Sequence, residues 1–329
     1  MGKIKIGYLR NASQGVNYHR LEVPMNLISM QGYHVTETDI AHMTDSNFDV
    51  LIFNRIPFQP YSNIEKLKKQ GVKIIFDIDD YWVRPQWHGM FNNQYESEFA
   101  TEIIKYLRLA DVVWVSTPYL QGLIAQMHIK SYLIPNALDY TQPQWQHMKK
   151  DKDSLSCGWV GVGNHHMDFR MIQSAFSRQS LPVQMVLAGV NELSEYWRYL
   201  AQVISGGRYQ SVKFVKDLDV YNYGILYNEL DIVLLPSFYD TYSLCKSNLK
   251  LLESGAHSLP VITNGNIFKE VTNKIGVRCN GDRDWVRGVK KLTESRRMRA
   301  ELGQALNEYT KEKYDINKFN QIRLSTIND

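Results

Sequence analysis

Short β-branched runs alternate with helical periodicity along almost the whole of this 329-residue chain. Only sheets whose strands are connected through helices accept such a pattern for long. In the first half the strand-like runs are residues 3–9, 50–53, 73–76, 112–115 and 131–134. Helical patterns fit between them at 18–30, with Leu21, Met25 and Ile28 on one face, at 64–70 ending before Gly71, and at 98–109. A polar stretch over 141–154, with the charged run Lys149-Lys150-Asp151-Lys152-Asp153, reads as a linker. A second alternation follows, with strands at 157–160, 184–188, 212–215, 232–235 and 261–263 and helices at 168–176, 193–204, 223–229 and 247–256. Helical patterns then run from 284 to about 328. The expectation is α/β with two doubly wound, Rossmann-like domains at 1–145 and 146–310, and a final helix over 311–329 crossing back to the first. Ligands are expected at the carboxyl ends of the strands, in a cleft between the domains.

Composition excludes several classes. No apolar run approaches the roughly 18 residues of a membrane span, and the opening MGKIKIGYLR alternates like a first strand instead of a secretory leader. The three cysteines, Cys157, Cys245 and Cys279, are widely spaced without Cys-x-x-Cys, which fits a reducing cytoplasm and suggests neither a disulfide framework nor a zinc knuckle. A net charge of +4 is too small to mark a nucleic-acid protein, though it favours an anionic ligand. No histidine pair has the spacing of a zinc helix and no Gly-x-Ser-x-Gly elbow occurs. Of the histidines near proposed loops (19, 165, 166 and 257), His257 follows Gly255-Ala256 and reads as a helix end.

Three segments carry candidate chemistry. In 231–263 a buried strand ends at Pro236-Ser237, a polar loop follows, and a helix is expected near Ser247. That places Lys246 and Ser247 at a helix start, where free amides favour an anion, with Lys250 and Glu253 continuing one face by i, i+4 and i, i+3 spacing. Lysines suit a diphosphate and a carboxylate suits vicinal hydroxyls, although a surface helix with a Lys250–Glu253 pair fits the same pattern. In Gly161-Val-Gly163 a strand leads through a glycine turn into a helix, as in dinucleotide folds. The third glycine is His166, however, and the next strand closes on Leu187-Ala188-Gly189 without an acidic residue. The turn fits phosphates, and it also fits purely structural glycines. Asp77-x-Asp79-Asp80 looks like a ligand set for Mg or Mn. On an extended strand Asp77 and Asp79 face one way and Asp80 the other, for acceptor hydroxyls or a proton, or else to cap the turn before Trp82.

The first of these segments resembles the donor-binding segment of family-four retaining glycosyltransferases of the GT-B fold. Pro236-Ser237, the polar loop, Leu251-Leu252-Glu253-Ser254-Gly255-Ala256 and Leu259-Pro260-Val261-Ile262-Thr263 carry the likeness. Lys246-Ser-Asn-Leu-Lys250-Leu-Leu-Glu253 is similar to a bacterial and phage subgroup with Lys-Ser-x-x-Lys-x-x-Glu. Further segments match that subgroup in order: Gly15-Val-Asn-Tyr18-His-Arg20, Asp77-Ile-Asp79-Asp80-Tyr-Trp82, Ala110 to Pro118 with Ile134 to Asp139, Gly158 to His165 with Asp168, and Asp284-Trp-Val. The chain departs from the common pattern at Cys245, where a first Glu is usual, leaving Lys246 or Asp240 part of its role. It departs again where an Arg and a Lys usually follow the glycine turn, leaving His165 and Arg170 as candidates.

The resemblance implies an enzyme that transfers a hexosyl or pentosyl group from a nucleotide-diphosphate sugar, with retention, without metal and with no cofactor beyond that co-substrate. It implies catalytic roles for Lys246, Lys250, Asp79 and Asp80. The donor would meet Gly161, Gly163, His165, Ser237, Asp240, Ser247, Asn248 and Glu253, and the acceptor Gly15, Tyr18, Arg20 and Trp82. The acceptor is expected to be a glycan or other saccharide. One alternative is a hydroxymethylated base in phage DNA, met by a basic face of Arg55, Lys66, Lys68, Lys69 and Arg84 with Trp82 or Trp87 stacking on a flipped base. Another is a non-catalytic sugar-nucleotide-binding protein.

Overall fold

The computed structural model describes residues 4–10, 13–45, 47–55, 61–88, 91–146, 154–163, 165–177 and 181–329. The charged run of the expected linker lies outside them. The chain divides into two compact units. The first comprises Met1–Ala137, Leu244–Ser247 and Ile316–Asp329, and the second Leu138–Ser243 and Asn248–Asp315. The division therefore falls at Ala137 instead of 145, and the last piece joins the first unit from Ile316 instead of 311. A four-residue piece carrying Lys246 and Ser247 also belongs to the first unit.

Each unit is built on a six-stranded parallel sheet. In the first, the order is β2 (His34–Thr38), β1 (Lys5–Leu9), β3 (Val50–Asn54), β4 (Lys73–Ile78), β5 (Val112–Val115) and β6 (Tyr132–Leu133). In the second it is β12 (Val277–Arg278), β11 (Val261–Thr263), β10 (Ile232–Leu235), β7 (Ser156–Val160), β8 (Gln184–Val190) and β9 (Lys213–Lys216). All ten strands expected from the sequence are present. The two that were missed, β2 and β12, are edge strands. β2 (HVTET) has only Thr38 fully buried, so it lacks the continuous apolar run that betrays a central parallel strand.

Helices cover the sheets through apolar faces and start at recognisable caps. Asn92 Oδ1 accepts the Tyr95 amide at 3.1 Å ahead of the helix Asn93–Leu109, and Thr117 Oγ1 accepts the Leu120 amide at 3.2 Å ahead of Pro118–Ala125. The helix Glu195–Ser205 stops at Gly206, whose φ of 64° suits glycine. The core of the first unit joins Phe53, Phe76 and Tyr106, and that of the second Trp159, Phe169 and Trp197. The C-terminal helix Ile316–Asn328 is fastened to the first unit by polar bonds. Trp114 Nε1 donates to Thr326 Oγ1 (3.0 Å), Lys73 Nζ to the Thr326 carbonyl (2.7 Å) and Asn320 Nδ2 to the Pro24 carbonyl (3.2 Å).

Two of the departures from the expected helices bear on the proposed site. The expected helix over 168–176 is two short ones, His166–Arg170 and Gln173–Phe176. The helix expected at 247 begins at Leu249, behind a short helix Thr241–Cys245, so Lys246 and Ser247 precede it and do not share its face with Lys250 and Glu253. The cause is Cys245, which is fully buried in the first unit's core, with its carbonyl accepting the Thr117 hydroxyl at 3.2 Å. Ser247 Oγ accepts from Asn136 Nδ2 at 2.7 Å, and the chain turns into a helix only after these anchors.

Candidate functional site

In the second unit the site is assembled at the carboxyl end of β7. Trp159 and Val160 end the strand and Gly161 opens the turn. A Cβ at Gly161 would stand 2.3 Å from the Trp159 ring and 2.6 Å from Lys250 Nζ, so only glycine fits. Lys250 comes from the first turn of the helix Leu249–Ala256. Its ammonium donates to the Val160 carbonyl at 2.6 Å and lies 4.5 Å from the centre of the Trp159 ring. A fixed cation therefore sits directly against the glycine turn.

Glu253, one turn further along the same helix, is only 2% exposed, and its Oε2 accepts the Tyr227 hydroxyl at 2.6 Å. Burial pushes its carboxyl above the ordinary value, with Lys250 and the Tyr227 bond opposing that shift. On the other side of the turn, His165 Nδ1 lies 2.6 Å from Asp168 Oδ2, while Asp168 Oδ1 accepts the Phe238 amide at 2.7 Å. Asp168 thus ties the glycine turn to the loop after β10. Gly163 lies against the Trp197 indole.

Several donor-side candidates are engaged in holding loops. Ser237 is buried, its hydroxyl donating to Asn264 Oδ1 at 2.8 Å and its carbonyl accepting from Asn264 (2.7 Å) and Asn266 (3.0 Å). Asp240 Oδ1 accepts the Ser243 amide at 2.7 Å, and Asn248 Nδ2 donates to Glu270 Oε1 at 2.5 Å.

In the first unit a buried ion pair lies at the end of β4. Arg20, 1% exposed, donates through Nε and Nη2 to the two oxygens of Asp77 at 3.0 and 2.6 Å, and through Nη1 to the Ile134 carbonyl (2.7 Å) and Asn136 Oδ1 (2.9 Å). Asn54 Nδ2 adds a bond to Asp77 Oδ1. Arg20 lies on a π-helical turn, Asn17–Glu22, between a short turn containing Gly15 and the helix Val23–Met30. The acceptor contacts expected of Arg20, Tyr18 and Trp82 meet an obstacle in burial, since Tyr18 is 3% and Trp82 8% exposed. The Arg20 guanidinium is taken up by Asp77, Ile134 and Asn136. Gly15 is exposed.

Asp79 lies just past β4, bound by Arg55 Nε at 2.9 Å. Asp80 follows it beyond the strand, and burial raises its carboxyl, Arg55 and Lys246 opposing and Asp79 adding to the rise. Lys246 therefore acts on Asp80 within the first unit, an association that sequence spacing did not suggest. Burial and the neighbouring Arg20 lower His19 to about 4, which leaves it neutral near pH 7. Among the described residues no group of three or more His, Cys, Asp or Glu is arranged to hold a metal ion, and no helix is long and apolar enough to cross a membrane.

No local pattern marks Trp159 as the platform under Lys250, or Tyr227 as the partner of Glu253. A tyrosine nearly thirty residues upstream carries no local mark of such a role.

Two parallel six-stranded sheets with this topology define the GT-B fold of glycosyltransferases. Solved structures share it over almost the whole chain. Sucrose-phosphate synthase from Thermosynechococcus elongatus superposes with a TM-score of 0.74 at 13% identity, covering 98% of each chain. HepE from Anabaena in complex with UDP gives 0.67 at 13% identity, covering 99% of this chain and all of that one. A putative UDP-N-acetylglucosamine 2-epimerase from Listeria monocytogenes gives 0.58 at 10% identity, covering 99% and 96%. No protein-family model and no curated protein matches the chain. At these identities the likeness concerns the fold, and the function must be argued from the site.

Proposed function

We propose that the chain is a glycosyltransferase that moves a sugar from a nucleotide-diphosphate donor to an acceptor hydroxyl, with retention and without a metal ion. The observation that carries this reading is Lys250, held on Trp159 with its ammonium against the Gly161 turn, with the buried carboxylate of Glu253 one turn away. A point charge beside a glycine turn suits a diphosphate, and an oriented carboxylate suits the hydroxyls of a nucleoside. The UDP bound to HepE makes uridine the first nucleotide to test. In the proposed step the bond from the anomeric carbon to the diphosphate oxygen breaks, and the acceptor oxygen bonds to the same face. The acceptor proton passes to the departing phosphate oxygen. Lys250 offsets the charge left on the diphosphate, and Lys246, Asp79 and Asp80 keep the catalytic roles that the resemblance implies.

The saccharide acceptor is favoured over a DNA base by the state of the basic face. Arg55, Lys68, Lys69 and Arg84 are paired with Asp79, Asp111, Glu65 and Glu96 at 2.9, 2.8, 2.9 and 2.6 Å, and Trp82 is buried. Side chains neutralised in this way contribute little counterion release on a phosphate backbone. A thermal-shift screen of nucleotide sugars tests the reading, because a cognate donor raises the melting temperature by mass action. No response to any uridine, guanosine, adenosine, cytidine or thymidine diphosphate sugar would overturn it.

Two further outcomes are expected. Glu253→Gln removes charge without volume, so the KM for the donor should rise roughly ten- to a hundredfold. Because burial already disfavours the ionised carboxylate, the ligand-free variant should melt no lower than the parent. Unchanged donor kinetics would remove Glu253 from the site. Transfer should also persist in EDTA, since Asp77 is bound by Arg20 and Asn54 and Asp79 by Arg55. Loss of activity on chelation with recovery in Mn would contradict this assignment.

A further inference from the structure

The 3-10 helix Tyr223–Glu229 brings Tyr227 beneath the helix that carries Lys250 and Glu253. Tyr227 is fully buried and its ring is clamped. One face stacks on His257 at 5.6 Å between centroids and 18° between planes, while His257 Nδ1 lies 3.2 Å from Asn228 Oδ1 and its ring meets Trp145 edge-on. The hydroxyl at the end of this fixed ring points at one atom of the proposed donor site, Oε2 of Glu253, 2.6 Å away. We propose that Tyr227 is a positioning residue for donor binding, its hydroxyl fixing the Glu253 carboxylate in the orientation and ionised form that accept the nucleoside hydroxyls. The inference rests on the assignment of Glu253 to the donor.

The chemistry of the pair supports this. A phenol bonded to a carboxylate stabilises the ionised form, and a second oxygen is then left with a defined direction. Burial, joined by the charge of Glu253, raises Tyr227 well above its ordinary value, so it remains a donor throughout the working pH range. Among the titratable and charged groups around Glu253, Lys250 on its own helix and Tyr227 on the 3-10 helix act on its carboxyl, its charge raises Tyr223, and His257 at the helix end stacks on Tyr227. Lys250 and the Tyr227 bond hold the carboxyl down against burial. The sign follows directly. Without the Tyr227 hydroxyl the carboxyl titrates at higher pH, so nucleotide affinity is lost sooner as pH falls.

The test is calorimetric binding of UDP, GDP, ADP, CDP and dTDP over a pH series, with the tightest carried through the variants. Tyr227→Phe should weaken binding about three- to tenfold near neutral pH and move the acid limb of affinity upward by roughly one pH unit. Tyr223→Phe removes a phenol from the same 3-10 helix without removing the bond to Glu253, and its acid limb should stay with the parent. Thermal melts of both variants, run alongside, show that the fold is kept. Should Glu253→Gln weaken binding while Tyr227→Phe matches the parent in affinity and pH profile, positioning by Tyr227 is overturned and the donor site survives. Equal shifts in the two tyrosine variants would also overturn it. If Glu253→Gln binds like the parent, or no nucleotide binds, the donor assignment itself fails and takes the inference with it.

Discussion

Arg20→Ala is expected to lower the stability of the protein by about 3–5 kcal/mol, a large part of the roughly 5–15 kcal/mol that holds a domain folded. The guanidinium is the cation that Asp77 meets through both oxygens, and it also satisfies the Ile134 carbonyl and Asn136. Truncation leaves a fully buried carboxylate with Asn54 and a more distant Arg323. Arg323 is already engaged, donating through Nη1 to Asn320 Oδ1 at 2.9 Å, so it is a poor replacement. Arg20→Lys should recover only part of the loss, because an ammonium cannot reproduce the paired bonds. Urea denaturation measures both. A change below about 1 kcal/mol for the alanine variant would mean that the ion pair contributes no more than a surface pair.

Lys250→Ala should cut turnover between ten- and a thousandfold, roughly 1.4–4 kcal/mol of transition-state stabilisation. From spacing alone this lysine reads as a surface charge whose loss leaves stability untouched. Its bond to the Val160 carbonyl and its place over Trp159 imply instead that the ligand-free variant loses about 1–2 kcal/mol as well. The two effects separate by measurement, because assays well below the lowered melting temperature report only the lost charge. A variant as active as the parent under those conditions would show that the lysine serves the turn and not the diphosphate.

The sheets were legible because strands buried on both faces must be continuously apolar. Runs such as 50–53 and 232–235 admit few other readings. The edge strands β2 and β12 escaped because they have water on one side. The site was less legible, for reasons of packing. Arg20 stands out as a residue type in a recognisable segment, yet nothing local tells whether a guanidinium reaches a ligand or a buried aspartate more than fifty positions away. The late start of the helix at Leu249 depends on Cys245 entering a distant core, which turned an expected three-residue face into the pair Lys250 and Glu253. Tyr227 and the Asp168 bridge between the glycine turn and the loop after β10 are tertiary pairings that no spacing rule encodes.

Cleavage of a nucleotide sugar at the site built around Lys250 and Glu253 is the chemistry on which the proposed function stands. Its most direct test follows nucleoside diphosphate release by phosphorus NMR from each common nucleotide sugar, with simple saccharides supplied as acceptors. The parent protein, Lys250→Ala and Glu253→Gln are compared under donor concentrations low enough to report kcat/KM. One donor should be consumed by the parent at least tenfold faster than by either variant, with a glycoside of unchanged anomeric configuration as product. Release at one common background rate by all three proteins, for every donor, would contradict it.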